Sequence, residues 1–178
     1  AFALLSPSKD VDCVTDSMLL ATLSGRPCAL APCTAEAVIA ILDHYGIEIA
    51  GARVAVVGRS NVIGRPVAAL LTMRDATVTL CHSRTVDLPS VTREAEILVV
   101  AAGRAHMIGS GYVAPGQTVI DVGINWDEAS QKLVGDVDAE VIKDTVAAYT
   151  PVPGGVGSVT TAILAKHVIE AAERTLVS

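Results

Sequence analysis

The sequence predicts an α/β protein: a Rossmann-like, doubly wound, mostly parallel sheet with helices on both faces. Three observations carry this expectation. Short Val-, Ile-, Leu- and Ala-rich runs alternate with helical segments from residue 34 to the C-terminus. The chain is 51% hydrophobic yet only 3% aromatic, the make-up of strands buried on both faces. Most of the strand runs lead into Gly or small polar residues, at the edge where ligands of open parallel sheets bind.

The elements follow in order. "AFALLSPSKD" carries no initiator Met and no signal-peptide pattern. It reads as the end of a helix entered from upstream, so the chain is expected to be a piece of a longer protein. "VDCVTDSMLLATLSGRP" reads as a short helix and a loop. Thr34 is placed to cap the helix "TAEAVIAILDHYG", whose stripe of Val38, Ile39, Ile41, Leu42 and Tyr45 stops at Gly46. "RVAVVG" is a strand ending in Gly58, and "RPVAALLTMRD" a helix with Pro66 in its first turn. "ATVTLCHS" is the second strand, "PSVTREA" a short helix, "EILVVAAG" the third strand and "QTVIDVGIN" the fourth. "DAEVIKD" is a short helix, "AAYTPVPGG" a fifth extended segment running into a tight turn, and "SVTTAILAKHVIEAAERTL" a long amphipathic helix. Alternating strands and helices imply right-handed crossovers. The chemistry should then gather at 58–64, 82–85, 101–104, 122–125 and 151–157.

Composition narrows the partners. The net charge is −6 and there is no basic run, which argues against nucleic acid and anionic membranes. No apolar run approaches the roughly 20 residues of a membrane span. Cys13, Cys28, Cys33 and Cys81 are scattered without metal-site spacing. They read as free thiols of a reducing cytoplasm, and no metal is expected. His44, His106 and His167 are isolated and read as surface or helix-end histidines.

"VVGRSNVIGRP" is the most informative stretch. Gly58 and Gly64 are spaced like the outer glycines of G-x-G-x-x-G, where backbone N–H groups and a helix N-terminus meet a pyrophosphate. Ser60 stands where the middle glycine belongs, so the fingerprint is only partly matched. An ordinary βα turn would share the strand–Gly–helix order. The second strand bears on the cofactor. NAD sites usually end it with an acid that holds the ribose, whereas "TLCHSRT" supplies His82, Ser83 and Arg84, with no acid before Asp87. With Arg59 and Ser60 this makes a cationic, hydroxyl-rich pocket suited to a 2′-phosphate, so the residues favour NADP. "YTPVPGGVGSVT" is the other unusual turn, able to bring a planar substrate close to the main chain.

"KDVD", "PCTAEAVIAIL", "VVGRSNVIGRP", "ATVTLCHSRT", "ILVVAAG", "VIDVGIN", "VGDVD" and "TPVPGGVG", in this order, resemble the bifunctional methylenetetrahydrofolate dehydrogenase/methenyltetrahydrofolate cyclohydrolase family along essentially the whole chain. The resemblance implies NADP-linked oxidation of 5,10-methylenetetrahydrofolate to the methenyl form, then hydrolysis to 10-formyltetrahydrofolate. Matched to the family's motifs, Gly58, Arg59, Ser60, Gly64, Ser83 and Ile124 would hold the cofactor. Asp12, Pro153, Gly154, Gly155 and Val156 would face the tetrahydrofolate derivative. Departures are Cys13, where the family often has Gly, and Ser158 and Val159, where it often has Pro and Met.

The family's catalytic lysine and tyrosine have no counterpart here. Lys9 lies in "KDVD", and Lys132, Lys143 and Lys166 sit in a surface segment and in helices. Residues 1–33 are therefore expected to connect to an N-terminal catalytic domain, 34–157 to form the NADP-binding domain, and 158–178 to pack back toward the catalytic domain. The resemblance further suggests a cytoplasmic homodimer. A non-catalytic NADP-binding module is the first alternative. A dehydrogenase of a non-folate substrate is the second, disfavoured by "KDVD" and "TPVPGGVG", which cofactor binding does not require.

Overall fold

A computed structural model describes residues 4–26 and 30–177, with side chains as far as residue 174. Cys28 and part of the expected opening helix end (residues 1–3) lie outside the described residues. The helices are α1 (Asp16–Leu23), α2 (Cys33–His44), α3 (Gly64–Met73), α4 (Leu88–Arg93), α5 (Ala139–Ile142) and α6 (Val156–Val177). The strands are β1 (Arg53–Val57), β2 (Thr77–Cys81), β3 (Ile97–Val100), β4 (Thr118–Asp121), β5 (Asn125–Asp127), β6 (Lys132–Val134) and β7 (Ala148–Tyr149).

Strand period decides the architecture. Successive side chains of a strand point to opposite faces. Val54 and Val56 of β1 join one core with Val38, Leu42, Val67 and Leu71 from α2 and α3. Ala55 and Val57 join a second core with Leu88 and Ile142 from α4 and α5. Ile97 and Val99 of β3 face the first core, Leu98 and Val100 the second. Each fully buried aliphatic side chain is worth about 1.5–3 kcal/mol. The half-exposed Arg74–Asp43 pair belongs to a class worth about 0–1 kcal/mol, so burial dominates. The sheet order is β2-β1-β3-β4-β7, all parallel. The chain runs outward from β1 to β2, then crosses to β3 on the other side of β1. That reversal opens a crevice at the carboxyl ends of β1 and β3.

Several expectations are corrected. Thr34 does not cap α2, which starts one residue earlier; Asp12 Oδ1 accepts the Cys33 N–H at 3.1 Å. Tyr45 leaves the apolar stripe and is 73% exposed, edge-on to His44. The fourth strand stops at Asp121, and Asn125 opens an antiparallel hairpin, β5–β6, that the sequence did not announce. His167 is neither at the surface nor at a helix end: it is fully buried in the middle of α6. The long helix begins at Val156 rather than Ser158. Its Ile163 packs on the first core, Leu164, Val168 and Ile169 are exposed, and the Leu176 side chain lies outside the described residues.

Two buried carboxylates organise the strand-end loops. Asp136 Oδ2 accepts the N–H groups of Ala102 (2.6 Å) and Gly103 (2.8 Å), while Oδ1 accepts from Arg104 N (2.8 Å) and Asn125 Nδ2 (2.9 Å). Asp121 accepts from Gly123 N, Asp136 N and Val137 N at 2.9–3.1 Å. Burial pushes the Asp121 carboxyl above its ordinary range, and the three backbone donors oppose that only in part. Across the first core, Glu36 of α2 meets His167 (2.9 Å) and Lys166 (2.8 Å) of α6. Burial alone would raise Glu36, but these hydrogen bonds outweigh it and hold its carboxyl below the ordinary value.

Asp136→Ala should cost at least about 3 kcal/mol in urea unfolding, because several buried N–H groups lose their acceptor at about 1–3 kcal/mol each. A loss below about 1 kcal/mol would mean the loops are held by other contacts. Glu36 has a lower pKa folded than unfolded. Its stabilisation is therefore present above the ordinary carboxylate pKa and is lost as pH falls through the folded value. The unmodified chain should lose stability on acidification more steeply than Glu36→Gln, and parallel urea midpoints against pH would contradict this.

Candidate functional site

The β1–α3 turn is built on backbone contact. Gly58 has φ +125°, and a Cβ there would strike the Ala101 carbonyl oxygen. A Cβ on Gly64 would strike the Gly58 carbonyl oxygen. Both glycines are thus required by main chain packed on main chain, before any ligand is considered. Ser60 explains how the turn dispenses with a middle glycine. Its Oγ accepts from Ile63 N (3.1 Å) and Gly64 N (3.4 Å), and its carbonyl accepts from Arg65 N (3.0 Å). It closes the N-terminus of α3, which the Ile63 side chain cannot cap. The hydroxyl proton stays available to donate outward.

The register Val57↔Cys81, with Gly58 N donating to Cys81 O at 3.0 Å, sets Arg59 and Ser60 beside His82–Arg84. The Arg59, Arg65 and Arg84 side chains and the Ser83 hydroxyl are exposed and make no hydrogen bond or ion pair among the described residues. Asp87, the first acid after β2, is committed: its carboxylate accepts from Ser90 N and caps α4.

Between the ends of β1 and β3 lies a crevice of about 590 Å³, lined among others by Ser60, Ile63, Gly103, Gly123, Ile124 and Gly157. Ile124 is 62% exposed there. Asp136 forms part of the floor and orients both neighbouring loops. A Cβ on Gly123 would strike the Asp136 carboxylate. An adjoining recess of about 230 Å³ joins Ile124 to the 151–157 turn. In that turn the Val152–Pro153 peptide is cis and Gly154 has φ +99°. A Cβ on Gly155 would strike the Pro151 carbonyl oxygen. Pro153 and Gly154 are exposed, but Val156, which lines both the crevice and the recess, is 3% exposed and packed in the first core. Thr150 Oγ1 accepts from Asp121 N at 2.8 Å and fastens the start of this turn to β4.

"KDVD" divides its aspartates. Asp10 is 2% exposed, and its carboxylate accepts from Val14 N and Thr15 N at 3.0 and 2.8 Å. Asp12 is exposed, with one oxygen on Cys33 N. Cys33 adjoins Thr34, which also lines the crevice, so Asp12 sits near its rim. Cys13 adopts φ +54°, the left-handed region that favours glycine. Its thiol is buried, donates to Leu30 O at 2.9 Å and is pushed up to about 12 by burial.

The structure thus gathers Ser60, Ile124 and the 153–156 turn around one crevice and its recess, while Gly58 and Gly64 shape the turn that carries Ser60 and Arg59 and Ser83 lie beside that turn. Asp121, Asp136 and Thr150, which fasten the strand-end loops, are residues that sequence reasoning missed. "VGDVD" and "VIDVGIN" contained the acids, but nothing local marked them as buried.

A family model described as tetrahydrofolate dehydrogenase/cyclohydrolase, NAD(P)-binding domain, matches residues 32–176. The chain is 49% identical over 168 residues to the bifunctional protein FolD of Clostridioides difficile, covering 94% of this chain and 58% of that protein. Among solved structures it is similar to the bifunctional FolD methylenetetrahydrofolate dehydrogenase/cyclohydrolase of Campylobacter jejuni, with TM-score 0.92 and 39% identity, covering 96% of this chain and 60% of that one. It is also similar to the Trypanosoma brucei methylenetetrahydrofolate dehydrogenase-cyclohydrolase complexed with NADP cofactor and inhibitor, with TM-score 0.91 and 38% identity, covering 99% and 62%. The chain spans about three fifths of the length of these proteins. The turn, the sheet order and these likenesses agree: the chain belongs to the tetrahydrofolate dehydrogenase/cyclohydrolase family and matches its NAD(P)-binding domain.

Proposed function

We propose that the chain binds NADP across the β1–α3 turn and forms the cofactor-holding part of a bifunctional folate enzyme. That enzyme oxidises 5,10-methylenetetrahydrofolate to the methenyl form and hydrolyses it to 10-formyltetrahydrofolate. The observation that carries the cofactor assignment is the uncommitted set Arg59, Ser83 and Arg84 beside a glycine turn, with no acid between the end of β2 and Asp87 at the cap of α4. Guanidinium and hydroxyl donors suit a 2′-phosphate, and charge-assisted pairs are the strong ones. Bound NADP supplies the hydride acceptor. The chain's own residues position and shield. The α3 N-terminus and the 58–60 backbone face the anionic end. Ile124 gives an apolar surface that excludes water from the crevice. The 153–155 main chain and Asp12 form one side of the folate cleft, where the carboxylate accepts N–H bonds from an amino-pyrimidine edge.

We place the groups that act on the one-carbon unit outside these residues. Lys143 is paired with Glu140 at 2.6 Å and Lys166 with Glu36 at 2.8 Å, and Lys132 lies on the β5–β6 hairpin. Residues 1–33 then lead from a catalytic domain, 34–157 hold NADP, and α6 turns its exposed Val168 and Ile169 toward that domain. We assign the assembly to the cytoplasm as a homodimer. The exposed Trp126 and Leu133 of the hairpin offer apolar surface for a second copy. No described helix is long and apolar enough to cross a membrane.

Arg59→Ala should weaken NADP binding about tenfold or more, the equivalent of losing about 1.5–3 kcal/mol of charge-assisted hydrogen bonding, and leave NAD binding nearly unchanged. Calorimetric titration of both cofactors checks this, and equal or tighter NAD binding by the unmodified chain would refute it. The 178-residue chain should bind NADP and show neither methylenetetrahydrofolate oxidation nor methenyl hydrolysis above background in a spectrophotometric assay. Turnover of either would place the catalytic groups within this sequence.

A further inference from the structure

Between α2 and α6 lies a polar cluster, centred on a fully buried histidine, that cofactor binding does not use. Cys33 and Glu36 come from α2, His167 from α6, and the Val11 carbonyl from the turn that carries Asp12. His167 is fully buried. Its Nδ1 lies 2.8 Å from Val11 O and 3.4 Å from Cys33 Sγ, and its Nε2 lies 2.9 Å from Glu36 Oε2. A carbonyl oxygen only accepts, so Nδ1 carries a proton and donates it to Val11. Nε2 and Glu36 share another. Cys33 adds a third tie, with its Sγ 3.4 Å from the same carbonyl and its N–H on Asp12 Oδ1.

The order Cys–His–Glu resembles a nucleophilic triad, but Cys33 is 1% exposed and its thiol is pushed up to about 12 by burial. No substrate reaches it and no thiolate forms at neutral pH. The cluster instead converges on one peptide. Residue 11 is gripped through its carbonyl by α6, residue 12 through its carboxylate by α2, and residue 10 anchors the turn from inside. A turn so fixed presents the second oxygen of Asp12 in one direction.

We infer that His167, held by Glu36, is a positioning residue for the substrate contact made by Asp12: it clamps the Val11 carbonyl and so fixes the orientation in which the Asp12 carboxylate meets the pterin. The inference rests on the reading of Asp12 as the pterin ligand. Burying a histidine against a glutamate that is itself 26% exposed is a costly way to pack two helices, since a leucine in place of His167 would fill the space without desolvating a polar ring. The cluster is accounted for by what it holds. Preorganised ligands bind more tightly because less freedom is lost on binding.

The test is titration of the chain with tetrahydrofolate, followed by amide 15N–1H NMR, with NADP affinity measured in parallel as a control on the fold. The unmodified chain should bind with perturbation of amides 11–14 and 153–157, and Asp12→Ala should lose this response. His167→Leu should weaken tetrahydrofolate binding about tenfold while NADP affinity stays within about twofold. His167→Asn, whose side-chain amide can still donate to the Val11 carbonyl, should recover most of the loss. A chain that does not bind tetrahydrofolate, or an Asp12→Ala that binds normally, overturns the reading of Asp12 and this inference with it. Loss in Asp12→Ala but not in His167→Leu overturns the inference alone. Equal loss of both ligands in His167→Leu and His167→Asn overturns it too, by reducing His167 to a packing residue.

Discussion

The site depends on one constraint: backbone N–H groups that leave the sheet must be given acceptors again. Parallel strands satisfy each other only while they run side by side. At the switch between β1 and β3 they part, and the chain ends freed there would sit unpaired against the core. Side-chain oxygens take over. Asp136 collects Ala102, Gly103 and Arg104, Asp121 collects Gly123, Asp136 and Val137, and Ser60 collects Ile63 and Gly64. Each acceptor closes one loop, and together they turn an opening in the sheet into a crevice with fixed walls. The adjoining glycines follow from the same economy of space. Gly123 and Gly135 lie so close to these carboxylates that a Cβ on either would strike one.

What the sequence made legible was local. The β1–α3 turn, the helix-opening Pro66 and the continuous two-faced burial of β1 and β3 are each decided within about ten residues of chain, and the order of strands and helices follows from them. The unreadable features join distant positions. Asp136 meets partners more than thirty residues upstream, and His167 meets Glu36 and Val11 at separations of 131 and 156. A lone histidine in an apolar helix gives no sign of them. Thr34 looked like a cap because a hydroxyl before an apolar run usually is one. The acceptor that α2 uses is Asp12, 21 residues earlier. The β5–β6 hairpin escaped notice because its residues are mixed in polarity and largely exposed, so no alternation marks it.

Cys13 shows how a departure from a family pattern becomes intelligible once a backbone angle is known. The position needs φ in the left-handed region, which glycine reaches freely and a β-carbon penalises by about 1–2 kcal/mol. Cysteine offsets part of that by burying its small side chain and donating to Leu30 O. At this position backbone strain is thus offset in part by packing and a hydrogen bond.

The two aspartates of "KDVD" set out the division of labour across the site. Asp10 spends both oxygens on its own turn and is lost to any ligand. Asp12 spends one on the N-terminus of α2 and keeps the other at the surface. Ser60 repeats this economy, its lone pairs given to the turn and its proton left outward. Such half-committed groups are suited to recognition, because the bond already made removes the rotational freedom that a ligand would otherwise have to freeze. Arg59, Ser83 and Arg84 are the opposite case, wholly uncommitted and solvated. If they meet a 2′-phosphate as proposed, their contribution is electrostatic attraction with little preorganisation, and affinity at that end should weaken with salt, while the direction of the free Asp12 oxygen is set by the fold.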